Sequence, residues 1–213
     1  MTSPGESGAA RHSAVRQGIL LSYATIGYNS LEAIASLVAG LVSGSVALIG
    51  FGIDSVIEVI ASVTAQWRLR IDADLSRRSE SEVVTLRIVS WCFVALAAYV
   101  TVDSVKSLYM EEQPDRSWFG LIVLALSAVV MPALALAKRR VARKMESSAL
   151  EAEAKQTSLC AYLSVIALGG VGLNAFFGWW WADPIAALAM VPIIVREGLH
   201  GLRLQPHEHD ACC

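Results

Sequence analysis

The stretch RQGILLSYATIGYNSLEAIASLVAGLVSGSVALIGFGIDSVIEVIASVTAQWR, from Arg16 to Arg68, decides how this chain folds. Between its terminal arginines the only charges are Glu32, Asp54 and Glu58. Crossing the hydrocarbon core of a bilayer takes about 20 apolar residues, so the run is too long for one span. Ser43-Gly44-Ser45 supplies a break in its middle. The stretch therefore predicts two transmembrane helices, at about Gln17–Val42 and Val46–Trp67. A polar, weakly basic start, MTSPGESGAARHSAVRQ, precedes them. A cleaved signal would have a shorter apolar core without an acid such as Glu32, so the first run reads as a retained helix.

Outward from there the pattern repeats. Between Lys155 and Arg196 the only charge is Asp183. Of the 213 residues, 55% are hydrophobic and 17% charged, where a soluble domain carries about 25% charge. In lipid every backbone polar group must be paired internally, and these apolar runs are continuous rather than alternating, so they predict helices. The third is expected at about Glu82–Leu108 and the fourth at about Trp118–Ala137, with Pro132 as a kink. The fifth and sixth, near Ala149–Phe177 and Pro184–Leu199, are separated by Gly178–Pro184. The expected fold class is an all-α integral membrane protein, a six-transmembrane-helix bundle over residues 17–199 with tails 1–16 and 200–213. Gly178-Trp179-Trp180-Trp181 reads as an aromatic anchor at the membrane interface. Ser36-x-x-x-Gly40-x-x-x-Gly44 and Gly169-Gly170-x-Gly172 read as small-residue faces for close helix packing.

Fifteen of the seventeen lysines and arginines fall on one side of this arrangement, all but Lys106 and Arg116. The positive-inside bias then puts both termini in the cytoplasm. The expected location is the cell (inner) membrane, as a multi-pass protein. Short loops and tails leave no room for a soluble catalytic domain, so no enzyme is expected, and a net charge of −2 gives nucleic acid no electrostatic foothold. Gly50-Phe51-Gly52-Ile53-Asp54 misses the Gly-x-Gly-Asp spacing of intramembrane aspartyl proteases by one residue and has no convincing partner aspartate. Cys92 and Cys160 within apolar segments, with Cys212 and Cys213 at the end, do not form a disulfide framework.

A charge at bilayer depth costs at least a few kcal/mol and demands an explanation. Asp54 and Glu58, four apart, stack on one helix face, roughly 14 and 20 Å from the Ser43–Ser45 break. Like charges on adjacent turns repel unless protons or a cation neutralise them. The pair is either a protonated, hydrogen-bonded packing pair or a cation site. A facing helix would have to add ligands, and the fifth offers Gln156 and Cys160, also four apart, with Thr157, Ser158 and Ser164 adding hydroxyls. Two carboxylates, an amide oxygen and a thiolate would suit zinc or a similar divalent ion. Asn29 and Glu32 face the bundle interior, where they either line the ion path or hydrogen-bond to neighbouring helices. Asp103 and Lys106 read as interfacial, and Asp183, before a proline, as a helix cap.

The segment from Gly44 to Glu58, GSVALIGFGIDSVIE, resembles the second helix of the cation diffusion facilitator family, where a Gly-Ser-x-Ala-Leu start leads to an Asp-Ser-x-x-Asp metal pair. Asn29-Ser30-Leu31-Glu32-Ala33 is similar to the family's first-helix motif, and Gly178–Leu188, GWWWADPIAAL, to its loop into helix six. The resemblance covers about residues 15–203 and implies six helices with both ends inside. It also implies metal contact at Asp54, at Glu58 (an Asp in the family) and at two helix-five positions. The family has His and Asp at the latter; here they are Gln156 and Cys160. The family's cytoplasmic C-terminal domain, which clamps dimers and senses metal, does not follow helix six, so the chain is similar to the membrane-only short form. A homodimer would then form through its helices.

His207-Glu208-His209-Asp210-Ala211-Cys212-Cys213 reads either as a metal-collecting arm or as an uninvolved tail. The expectation for function is a secondary transporter exporting a divalent transition metal, zinc above others, in exchange for protons. The metal is substrate, and no cofactor is expected. The expected partners are the metal ion, protons, the lipid bilayer and a second copy of the chain. The alternative is a non-transporting membrane metal sensor or a modulator of another transporter.

Overall fold

The structure, a computed structural model, describes the backbone of residues 4–71, 75–145 and 148–203, and the side chains of residues 16–63, 87–143, 151 and 153–202. Six helices account for almost all of it: α1 Pro4–Ser43, α2 Val46–Ile71, α3 Leu75–Tyr109, α4 Trp118–Met145, α5 Ser148–Phe177 and α6 Ala182–Arg203. All six are long and apolar enough to cross a membrane. The described residues contain no strand. The expected all-α six-helix architecture is present, and the molecule is a multi-pass membrane protein.

The helix bounds differ from expectation at one end of the bundle. α1 begins before Gln17, α3 before Glu82, and α4 runs past Ala137 to Met145. Hydropathy marks where a helix leaves the hydrocarbon, not where its hydrogen bonds stop. Arg, Lys and Glu are good helix formers, so the spans continue into the charged stretches beyond. α6 starts at Ala182, which puts Asp183 inside its first turn. α4 is continuous through Pro132.

α2 sits at the centre, in contact with α1, α3, α5 and α6, while α4 packs on α5 and α3 on α6. Its span is the most buried of the six. The surface is the inverse of a soluble protein's. Leu31, Leu41, Val42, Val102 and Val129 stand exposed, whereas Thr25, Asn29, Ser36, Ser55, Ser104, Ser127, Thr157 and Ser164 are fully buried. Lipid accepts the apolar surface, and the polar groups turn to one another inside.

The loop end is locked by backbone geometry. Gly44 adopts a positive φ of 70° after the last residue of α1, and Ser45 N–H bonds back to Gly40 O at 3.1 Å, the helix-ending motif that favours glycine. α2 then starts with its amides aimed at Asp183 of α6. Ser45 Oγ donates to Asp183 Oδ1 at 2.5 Å, and Val46 N–H donates to Oδ2 at 2.9 Å. Asp183 is thus a cap, as expected, but for α2 rather than for its own helix. Gly170 of α5 lets the start of α6 approach, since a Cβ there would collide with Ala186 and the Ala182 carbonyl. Trp179 and Trp181 stack 5.2 Å apart at the same end, and Trp118 meets Phe176 edge-on at 5.4 Å, which fits an interfacial aromatic belt.

Asp183→Ala removes three buried bonds that tie α2 to α6, from Ser45, Val46 and, at 3.5 Å, Ala47, and is expected to cost about 2 kcal/mol. The measurement is thermal unfolding of detergent-solubilised protein. An unchanged midpoint would show that the tie contributes nothing.

Candidate functional site

The centre of the bundle carries an acidic cluster drawn from three helices. α2 supplies Asp54 and Glu58, stacked one turn apart and about 5% and 3% exposed. Buried Ser55 lies between them and donates to Glu32 Oε2 of α1 at 3.0 Å. α5 supplies Cys160, whose Sγ lies 4.0 Å from the same Glu32 oxygen, and Thr157, whose Oγ1 lies 2.8 Å from Glu58 Oε1. Asn29, fully buried on α1, lies beside Glu58.

These groups are short of partners. Among the described residues eight buried side-chain polar atoms make no hydrogen bond, and five belong here: both amide atoms of Asn29, Glu32 Oε1, Glu58 Oε2 and Gln156 Nε2. Buried polar groups in folded proteins are almost always paired, so such a concentration marks a place that water, protons or an ion would complete. Three acids within one low-dielectric centre also repel one another unless positive charge reaches them.

Asp54, Glu58 and Gln156 share the wall of a small cavity of about 10 Å³, room for about one water-sized particle. Its remaining polar wall is Glu197 of α6. A larger crevice of about 610 Å³ opens beside it, lined by Arg139, Lys155, Arg196 and His200 among others, and shares Leu159, Ile193 and Glu197 with the cavity. Glu197 therefore stands between crevice and cavity. Toward the loop end, Leu48, Phe51, Val100 and Met190 are fully buried, so by position along their helices they close the cluster off on that side. Among the described residues no group of three or more His, Cys, Asp or Glu side chains is placed so that it could hold a metal ion. Asp54 and Glu58 line one cavity wall with Glu197 rather than form a finished coordination shell.

The structure thus brings Asn29, Glu32, Asp54, Glu58, Gln156 and Cys160 into one neighbourhood. Glu32 is closer to the centre than sequence reading placed it, in contact with both Ser55 and Cys160. His207, His209, Cys212 and Cys213 lie outside the described residues. Asp103 and Lys106 stay at the periphery, paired with Tyr99 and Glu112. Two residues escaped sequence reading. Glu197, next to Arg196, looks like an ordinary charged helix end. Lys138, counted among the loop charges that set topology, is instead a fully buried residue of α4, 3.4 Å from Glu153 and 3.1 Å from Thr157 Oγ1. Its signal was its position, the first cation after an apolar span that the helix carries onward.

Six membrane spans close around a core in which Glu32 and Glu58 each keep one unpartnered oxygen, and together they define an integral membrane protein. Residues 22–203 match the family described as the cation efflux transmembrane domain, and the chain belongs to that family. It is similar to the uncharacterized transporter sll1263 of Synechocystis sp., 22% identical over 76% of this chain and 54% of the relative. It is also similar to protein p34 of Rickettsia prowazekii, at 25% identity over 78% of this chain and 56% of the relative. The uncharacterized transporter YdbO of Bacillus subtilis is 29% identical over 77% of this chain and 58% of its own length. The chain spans somewhat more than half the length of these curated relatives. The expectation of a cation-efflux family member is borne out.

If the cluster is an open cation site rather than a satisfied packing pair, Asp54→Asn relieves repulsion in the metal-free protein. Its melting midpoint should then rise by roughly 2–4 °C, a gain of about 1 kcal/mol. A midpoint that falls would instead favour a protonated, hydrogen-bonded pair.

Proposed function

We propose that this chain exports a divalent transition metal, zinc by preference, in exchange for protons. Asp54 and Glu58 of α2 are its principal ligands, and Gln156 and Cys160 of α5 complete the set. Asn29 and Glu32 line the ion path beside it. The observation that carries this reading is the burial, in the centre of a cation-efflux fold, of Asp54 and Glu58 on one cavity wall and of Glu32 against Ser55 and Cys160, with Glu32 Oε1 and Glu58 Oε2 unpartnered. A thiol among carboxylates favours borderline-soft ions such as zinc over magnesium or calcium. Ligands of this kind bind metal only when deprotonated, so affinity falls as pH falls, and protons arriving from one side can displace an ion bound from the other.

In this reading the basic ends of the helices and both termini lie in the cytoplasm, and the crevice beside Glu197 is the cytoplasmic approach. The protein resides in the cell membrane as a homodimer formed through its helices. Protease or reporter accessibility that puts the segment after Arg203 outside the cell would overturn the orientation.

Isotopic zinc flux into proteoliposomes under an imposed pH gradient tests the transport reading, and no flux above protein-free vesicles would sink it. Asp54→Asn is expected to abolish flux, because it removes charge that compensates the ion. Cys160→Ser should shift preference toward harder ions and leave binding in place. Gln156→His should raise zinc affinity and steepen its pH dependence, since imidazole titrates near neutral pH. Unchanged selectivity in both α5 variants would move the second half of the ligand set to Asn29 and Glu32.

A further inference from the structure

Lys138 is the anomaly of the bundle: a lysine with no exposed surface, on a helix whose next residue, Arg139, is exposed. A buried ammonium is costly unless paired, and its surroundings are specific. Nζ lies 3.4 Å from Glu153 Oε2, and Ser22 Oγ of α1 donates to the same oxygen at 3.0 Å. Nζ also donates to Thr157 Oγ1 at 3.1 Å, and Thr157 Oγ1 lies 2.8 Å from Glu58 Oε1. A hydroxyl that accepts from an ammonium keeps one proton to give, and Thr157 Oγ1 has two acceptors for it, Glu58 Oε1 at the shorter distance and its own helix's Glu153 carbonyl at 3.0 Å. The ammonium therefore stands one hydroxyl away from Glu58, whose other oxygen, Oε2, is unpartnered.

We infer that Lys138 is a tethered counter-cation of the ion site, a positioning residue. Through Thr157 it fixes one oxygen of Glu58 and leaves the other free, and its nearness lowers divalent affinity far enough for release. The inference rests on the reading of Asp54 and Glu58 as the ion site. Glu153 is the other half of the device. It neutralises part of the lysine's charge, so the two residues act on the site with opposite sign.

A purely structural ion pair would behave differently. Removing either partner would then loosen the α4–α5 contact and weaken binding in both cases. The test is competition titration with zinc on the purified full chain, together with zinc flux in proteoliposomes. Lys138→Met is expected to bind zinc about tenfold more tightly while transporting it more slowly, and Glu153→Gln to bind about tenfold more weakly. The double variant should return to within about threefold of the parent affinity. Single variants that shift in the same direction, or not at all, overturn the inference. If Lys138→Met does not give a monodisperse protein, Lys138→Gln takes its place. In either case Glu153→Gln with parental affinity is sufficient to overturn it. Asp54→Asn separates the two claims. Zinc binding that survives it sinks the ion-site reading itself. Binding that is lost there, with Lys138 and Glu153 variants unmoved, sinks only the role of Lys138.

Discussion

Carboxylates inside a low-dielectric bundle must find positive charge or protons, and much of this structure follows from that requirement. Asp54 and Glu58 cannot face lipid, so α2 takes the central place, shielded by α1, α3, α5 and α6. Because it is surrounded, α2 cannot reach water to satisfy the amides at its start. Asp183 supplies that need from α6, and with it fixes how the last helix docks. The same requirement explains why small hydroxyl residues fill the interior, since Ser and Thr add hydrogen bonds to a tight helix interface without adding charge.

The compensation is uneven along the membrane normal. At the loop end the core is apolar and closed by Leu48, Phe51, Val100 and Met190. At the basic end Lys138 and Glu153 adjoin Glu58 through Thr157, and a crevice reaches as far as Glu197 on the cavity wall. In the proposed exchange such asymmetry fits a state approached from one side and sealed on the other. The sealing residues are large apolar side chains from α2, α3 and α6. Opening that side would therefore require the α3–α6 pair to move against α2, not a single side chain to rotate.

Much of this was legible in the residues. The long uncharged runs gave six spans, because exclusion of charge from hydrocarbon is strong and acts on every position of a span. Asp54 and Glu58 were legible for the same reason, since an acid amid such a run cannot be accidental. Glu197 and Lys138 were not, because both sit where a span meets its charged flank. There a charged residue on one face of a helix reaches water and the next, about 100° around the axis, points inward. Arg139 is exposed and Lys138 is buried, and composition treats them alike. Helix ends failed for a related reason, as the helices continue beyond the hydrocarbon that hydropathy detects.

Position around a helix also bears on the substitution that sets this chain apart from the family it resembles. In the proposed ligand set Gln156 and Cys160 of α5 bring fewer negative charges to a divalent ion than two carboxylates would. Glu32, in contact with Ser55 and within 4.0 Å of the Cys160 sulfur, supplies a carboxylate from the opposite side of the same centre. In the proposed site an acid on α1 thus adds to the negative charge that α2 supplies. A fixed ammonium at Lys138 then acquires a consistent place. With acids contributed by α1 and α2 and further ones at Glu153 and Glu197, an uncompensated cluster would hold a divalent ion too tightly to let it go. One buried lysine, paired on one side and bridged to Glu58 on the other, brings the balance back toward reversible binding.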